Sequence, residues 1–307
     1  MTKSMPSDGV SNTKNKLQRI WRRYGIPYAF LAPFLILLFI FTILPVFIAM
    51  FMSLTYDNVI QKSVFVGLLN YKNLFIDDEV FMTALKNTLL FAVVVGPVGF
   101  LASFIFAWVL NKFRHNTIFA LAFYAPSLCS GVAMSQVWLW FFASDKYGLI
   151  NYALMNMGLI TKPIYWNQDS NYILPTIMII SIWMSMGTGF LVFMAGLKNV
   201  SQSLYEAAAI DGLQHNWQEL WYVTLPSMKP QLLFAAINSV TSAFSVFEVA
   251  TAVSGMPSPN YAGHTIVAHL YDHAFLRYEM GYASAVAVVL FAITFALGRV
   301  CMRVFRS

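Results

Sequence analysis

Charge is what this sequence has least of. Only 10% of its 307 residues are Asp, Glu, Lys or Arg, while 59% are apolar and the mean hydropathy is +0.64. A soluble globular domain carries roughly a quarter charged residues, so this chain reads as an integral membrane protein. Cysteine is nearly absent too. Cys129 and Cys301 lie far apart in apolar segments, without ligand spacing, and read as inert thiols. No glycine is followed by lysine, so the chain has no P-loop with which to bind ATP. No serine elbow or aspartate pair occurs within the apolar segments, which leaves an intramembrane hydrolase without a nucleophile. His269 and His273 are spaced i, i+4, but Leu270 stands where a zincin motif needs glutamate, and the pair is set aside as a metal site.

What the chain has in plenty is long apolar runs. Six of them, about 27–54, 87–110, 117–143, 173–197, 231–254 and 281–304, approach or exceed the roughly 20 residues a helix needs to cross hydrocarbon. The first is too long for a signal-peptide core and has no small-residue cleavage site behind it, so it reads as an uncleaved span. The expected fold is an all-α membrane protein of six transmembrane helices. Pro33, Pro45, Pro97 and Pro126 inside the runs favour a packed bundle over isolated anchors. Before the first run, residues 1–26 form a separate tail. Within it Leu17, Ile20, Trp21 and Tyr24 recur at helical spacing among Lys16, Arg19, Arg22 and Arg23, a basic amphipathic helix suited to membrane lipids.

The net charge of +6 could suggest nucleic acid, but its placement is a topology signal. With the N-terminus inside, thirteen of the nineteen Lys and Arg fall on cytoplasmic pieces, including Arg22, Lys112, Arg114, Lys198 and Arg303. The positive-inside rule then puts both termini, and residues 198–230, in the cytoplasm.

That cytoplasmic piece is a polar, helix-forming island, Ser201 to Pro230. Ser203 and Glu206 have capping-box spacing, Ala207, Ala208 and Ala209 are strong helix formers, and Gly212 can end the helix in the left-handed conformation. Asn216 and Glu219 repeat the spacing, so a second short helix is expected from Trp217 to about Tyr222, stopped by Pro226 and Pro230. Glu206-Ala207-Ala208, then Asp211-Gly212, then Leu225-Pro226 closely resembles the E-A-A…D-G…L-P loop of permease subunits in binding-protein-dependent ABC importers. One departure is visible: ten residues separate Gly212 from Val223, where the family usually has nine.

The resemblance covers nearly all of residues 27–307 and is closest to the carbohydrate-uptake permeases. It implies a MetI-like permease core whose loop docks a cytoplasmic ATPase through Ser203, Glu206, Ala207, Ala208, Asp211, Gly212, Leu225 and Pro226. It further implies two such ATPases holding ATP and magnesium, a second homologous permease, an extracytoplasmic solute-binding protein and a place in the plasma membrane. Gly67 to Phe75, G-L-L-N-Y-K-N-L-F, is similar to the first periplasmic loop of such permeases. Tyr147, Tyr152, Tyr165 and Trp166 in the second outer loop read as interfacial aromatics.

Glu248 is the one charged side chain expected within hydrocarbon, so it should face a polar path or a partner. Thr241, Ser245, Ser239 and Ser242 make one side of the same span polar, and Ser185, Trp183, Ser181 and Thr188 suggest a similar face on the fourth. Glu248, Ser245, Thr241, Ser185 and Trp183 are therefore the candidates for a translocation path. The expected cargo is a sugar or oligosaccharide, with glycerol 3-phosphate as the alternative. A secondary transporter generally shows internal repeats and several intramembrane ionisable groups, and this chain offers one such group.

Overall fold

The computed structural model describes residues 25–111, 121, 123–125 and 127–306. The basic tail helix and residues 117–120, with Pro126, lie outside the described residues. Five helices are long and apolar enough to cross a membrane: α1 (Pro27–Met52), α2 (Glu79–Asn111), α5 (Ser170–Asn199), a broken segment Lys229–Ser254, and α11 (Met280–Arg306, apolar through Arg303). Between them lie the shorter helices α3 (Gly131–Phe141), α4 (Leu149–Asn156), α6 (Gln202–Ile210), α7 (residues 216–227) and α10 (Ile266–Tyr271). The broken segment consists of α8 (Lys229–Phe244) and α9 (Glu248–Ser254). The only strands among the described residues, β1 (Thr55–Tyr56) and β2 (Val64–Phe65), pair antiparallel.

Three differences from the sequence expectations have local causes. α2 starts at Glu79 instead of about 87, because the Asp78 carboxylate accepts the Phe81 N–H at 2.8 Å and caps an extra two turns of polar helix. The third expected span is interrupted at Cys129–Ser130, where the Ser130 hydroxyl accepts the Ala133 N–H and begins α3 afresh. The fifth is interrupted at residues 245–247, where Phe247 leaves helical geometry. Such a break is tolerated at membrane depth only where its polar groups find partners. Here the Thr265 hydroxyl donates to the Val246 carbonyl at 2.9 Å, and the Thr251 hydroxyl to that of Phe247.

α2 and α5 pack along one another and α8 lies across both, with α11 against α8 and the end of α1 against α11. One core cluster joins Phe91, Ile173, Ile177 and Ala243 to α9, and a second joins Phe104, Phe193, Met228 and Leu232. Small residues set the α2–α5 approach: a Cβ on Gly99 would lie 2.3 Å from Oγ of Ser185. α1 leaves almost every side chain exposed, as suits a helix with lipid or another subunit against it.

The loops are tied by buried amides. In the G-L-L-N-Y-K-N-L-F run, Asn70 donates to the carbonyls of Ser53 and Thr55 at 2.9 and 2.8 Å and fixes the end of α1. Asn151 donates to the carbonyls of Ala143, Asp145 and Ile164 and accepts from the Ile164 N–H and the Trp166 indole. Trp166 is thus a packing residue here, edge-on to Phe142 and Tyr172, while Tyr147 and Tyr152 are exposed. Replacing Asn151 by Ala orphans both buried donors at once. The expected cost is about 2–4 kcal/mol, read as a lowered Tm of the purified protein, and an unchanged Tm would refute the role.

Candidate functional site

The polar groups of this apolar bundle converge on one place. A cavity of about 470 Å³ lies where α2, α5, α8, α9 and the start of α3 meet. Ser103, Ser181, Thr188, Asn238, Ser239 and Ser242 line it, together with Phe91, Phe100, Phe193 and Phe247. Hydroxyls and one amide supply hydrogen bonds and the rings supply flat apolar faces, a combination suited to a polar, uncharged solute.

Of the five path candidates, three line this cavity: Glu248, Ser245 and Ser185. Ser185 also back-bonds to the Ile182 carbonyl at 2.8 Å. Thr241 and Trp183 do not line it. Thr241 points outward with its hydroxyl on the Ile237 carbonyl, and Trp183 stands edge-on to Trp138 at 5.2 Å. Asn238 was missed from the sequence, although Asn238, Ser242 and Ser245 fall at i, i+4 and i+7, the spacing of one helix face.

Glu248 has no cation beside it among the described ion pairs. The break before α9 places it in the first turn of that helix, and its carboxylate reaches the first residue of α3. A Cβ on Gly131 would stand 2.3 Å from Oε2 of Glu248, so only glycine lets the carboxylate lie against the α3 backbone there. Two helix N-termini thus face the acid, and their unpaired N–H ends favour a negative charge. That is a local reason for an acid to be tolerated in an apolar bundle.

The second site is the hairpin of α6 and α7. α6 begins at Gln202, so Ser203 and Glu206 fall inside the helix and out of capping register. The expected capping box is therefore absent: Ser201 holds the N-cap position and its hydroxyl meets that of Ser203 at 2.8 Å. Asp211 and Gly212 close the other end, Gly212 at φ +91°. The N–H groups of Gly212 and Leu213 return to the carbonyls of Ala209 and Ala208 at 3.2 and 3.0 Å. This is the six-to-one, five-to-two closure that a left-handed glycine makes possible.

α7 also starts one residue earlier than expected. His215 occupies its N-cap, and the Gln218 side chain accepts the N–H of His215 at 3.2 Å, so Asn216 and Glu219 form no box. Pro226 does not stop α7. Leu220–Thr224 is a wide turn in which the Leu225 N–H reaches the Leu220 carbonyl, and Pro226 falls in the turn just after it, needing no donor. Such a turn takes up one residue beyond a regular helix, a structural counterpart of the ten-residue spacing. Met228 ends the hairpin, and Pro230 opens α8.

The Tyr205 and Thr224 hydroxyls meet at 2.9 Å and join the two arms. Ala208 is buried against the chain itself, whereas Glu206, Ala207, Asp211, Gly212 and Pro226 are exposed and Leu225 is half-buried. Ile210, 87% exposed, stands out with Leu204, Trp221 and Tyr222 on an apolar surface of the hairpin. Exposed side chains of this size in one small element mark a contact surface.

A third grouping lies at the other loops. His269 and His273, set aside from sequence, are buried beside Asp78. Burial pushes the His269 imidazole down to about 4, so it is neutral at pH 7. Burial alone would raise Asp78, but the Tyr282 hydroxyl, the Phe81 N–H and the nearby imidazoles hold its carboxyl below the usual range.

A cavity lined by hydroxyls and aromatic rings between helices long and apolar enough to cross a membrane, with an exposed hairpin beyond them, fits a membrane transport subunit. No family model matches the chain. It is 34% identical over 269 residues to the probable ABC transporter permease protein YesP of Bacillus subtilis, covering 87% of this chain and 85% of that one. It is 31% identical over 288 residues to the arabinooligosaccharides transport system permease protein AraP of the same organism, covering 92% and 89%. The chain therefore belongs to the family of ABC transporter permeases. Its fold is that of a chain in the crystal structure of a bacterial ABC transporter involved in the import of the acidic polysaccharide alginate, with a TM-score of 0.80, 22% identity, and coverage of 95% and 98%.

Gly212→Pro forces the hinge residue to a φ of about −65° and removes its N–H, so the α6 closure cannot form. Limited proteolysis of the membrane-embedded variant should cut within residues 202–227 at least about tenfold faster. Equal protection would show that the closure does not hold the hairpin.

Proposed function

We propose that this chain is a permease subunit of an ABC importer for a neutral sugar or short oligosaccharide, and that the cavity is its share of the path. The cavity lining carries this reading. Hydroxyls, one amide and phenyl rings match a sugar's alternating polar edge and apolar face, and among the described residues the only charged one in the lining is the acidic Glu248. A phosphate ester would want Lys or Arg there, and a carboxylate repels it. The relative named for arabino-oligosaccharide transport supports a saccharide cargo.

In this reading the chain crosses the plasma membrane six times. Both termini and the α6–α7 hairpin face the cytoplasm. A second, related permease completes the path, and an extracytoplasmic binding protein delivers the solute. Support for the latter is the solved alginate transporter in complex with an alginate pentasaccharide-bound periplasmic protein. Two ATPases bind and hydrolyse ATP and pull on the hairpin through Ile210, Leu204, Ala207 and Tyr222. ATP and magnesium are held by those ATPases and not by this chain. The hairpin is a stiff lever: its arms are joined at Tyr205 and Thr224, and it is continuous with α8 through Met228, so movement reaches the cavity wall as rigid-body rotation.

The test is uptake into proteoliposomes holding this chain with its partner permease, ATPases and binding protein. ATP-dependent uptake of an oligosaccharide but not of glycerol 3-phosphate is expected. Uptake without the ATPases, or the reverse preference, would overturn the reading. In the same system Glu248→Gln should lower the uptake rate about tenfold, equivalent to about 1.4 kcal/mol. Assembly, judged by co-purification, should stay intact, and unaltered uptake kinetics would remove Glu248 from the path.

A further inference from the structure

The grouping of Asp78, His269 and His273 has no part in the cavity or the hairpin. Its members come from three places: Asp78 caps α2, His269 lies on α10, and His273 follows in the wide turn Asp272–Leu276. One ligand-capable atom from each lies within 4.8 Å of the others. His269 is 1% exposed and His273 6%.

Two observations set this grouping apart from an ordinary buried hydrogen-bond network. Neither ring nitrogen of His269 makes a hydrogen bond with any described residue, although Nε2 stands 3.1 Å from Oδ2 of Asp78. A buried imidazole nitrogen without a hydrogen bond forfeits about 1–3 kcal/mol, so the ring lone pair lacks a donor or a Lewis acid to receive it. The neighbours, in contrast, are oriented as supporting groups. Nδ1 of His273 meets Oε2 of Glu279 at 2.7 Å, which fixes that ring and leaves its Nε2 as the free donor atom. The Tyr282 hydroxyl donates to Oδ2 of Asp78 at 2.6 Å, and the Phe81 N–H donates to Oδ1. A carboxylate behind a histidine and hydrogen bonds behind a carboxylate are the second layer that metal ligands usually have.

We propose that Asp78, His269 and His273 form a site for a divalent transition cation of the zinc type, with a fourth position left for water. Zinc sits about 2.0–2.1 Å from imidazole nitrogen and about 2.0–2.2 Å from carboxylate oxygen, which puts tetrahedral ligands roughly 3.4 Å apart. The pair Nε2 of His269 and Oδ2 of Asp78, at 3.1 Å, is already close to that spacing. Two nitrogens and one oxygen suit zinc better than calcium or magnesium, which take oxygen ligands. Enclosed by α2, α10 and α11, the ion would act as a clamp joining the start of α2 to the segment before α11.

The experiment uses the assembled transporter, purified in detergent on a histidine-free tag, with zinc alone as the probe. Titration against a chromophoric chelator should give about one tight site per copy of this chain, and cobalt(II) should give the visible absorption of a four-coordinate nitrogen–oxygen site. His269→Gln and Asp78→Asn should each weaken zinc at least about tenfold. Glu279→Gln, which keeps all three ligands, should weaken it about tenfold by freeing the His273 ring. Wild-type complex that binds no zinc, gives no cobalt band, or binds zinc as tightly as the His269→Gln and Asp78→Asn variants would overturn the proposal.

Discussion

The hydrogen bond from Thr265 to the Val246 carbonyl is the contact on which the cavity depends. A helix crossing hydrocarbon cannot stop in the middle unless the groups it frees are taken up elsewhere. Because Thr265 takes up the Val246 carbonyl, the segment Lys229–Ser254 can break at residues 245–247. The break turns Ser245 and Phe247 to the cavity and starts a new helix at Glu248. A straight helix would have run its backbone through this corner and put Glu248 mid-helix, with no N-terminus to face. The outer segment that carries Thr265 is itself held to α2, where the Ile266 N–H donates to the Thr88 hydroxyl and Asn87 binds three carbonyls.

The two helix breaks act together. Ser130 restarts one helix and Phe247 another, and the two starts meet across Gly131 and Glu248. The sequence expectation for Glu248 was a polar path or a partner. In the structure Glu248 lines the cavity and lies against the backbone of a neighbouring helix, with no cation beside it among the described ion pairs. Glycine at 131 is what permits the contact. Its importance is invisible in a run that otherwise reads as ordinary span.

How far the sequence could be read follows from the range of the forces involved. Apolar run length located five long helices, because hydrophobic thickness is a property of the segment alone. The polar island, residues 201–230, was legible as two helices around Gly212 for the same local reason. Cap residues were misplaced by one or two positions: Ser203 with Glu206, and Asn216 with Glu219, have a spacing that also occurs inside a helix, and only the start at Gln202 or Asn216 decides which applies. The breaks at residues 129–130 and 245–247 were not legible. Ser130-Gly131 is a serine–glycine turn signal too short to divide an apolar run by itself, whereas Phe247 carries no glycine or proline signal and its break is stabilised by Thr265, 19 residues beyond Val246. The clustering of His269 and His273 with Asp78 was hidden for the same reason, since nearly two hundred residues separate its parts.

Met228 is the single non-helical residue between α7 and α8, and it has no exposed surface. Its methyl group rests over Gly196 of α5, where a Cβ would stand 2.7 Å away. A joint of one residue, pinned from both sides, has no slack. Any displacement of the hairpin would therefore bear on α5 and α8 together, and both of these helices line the cavity.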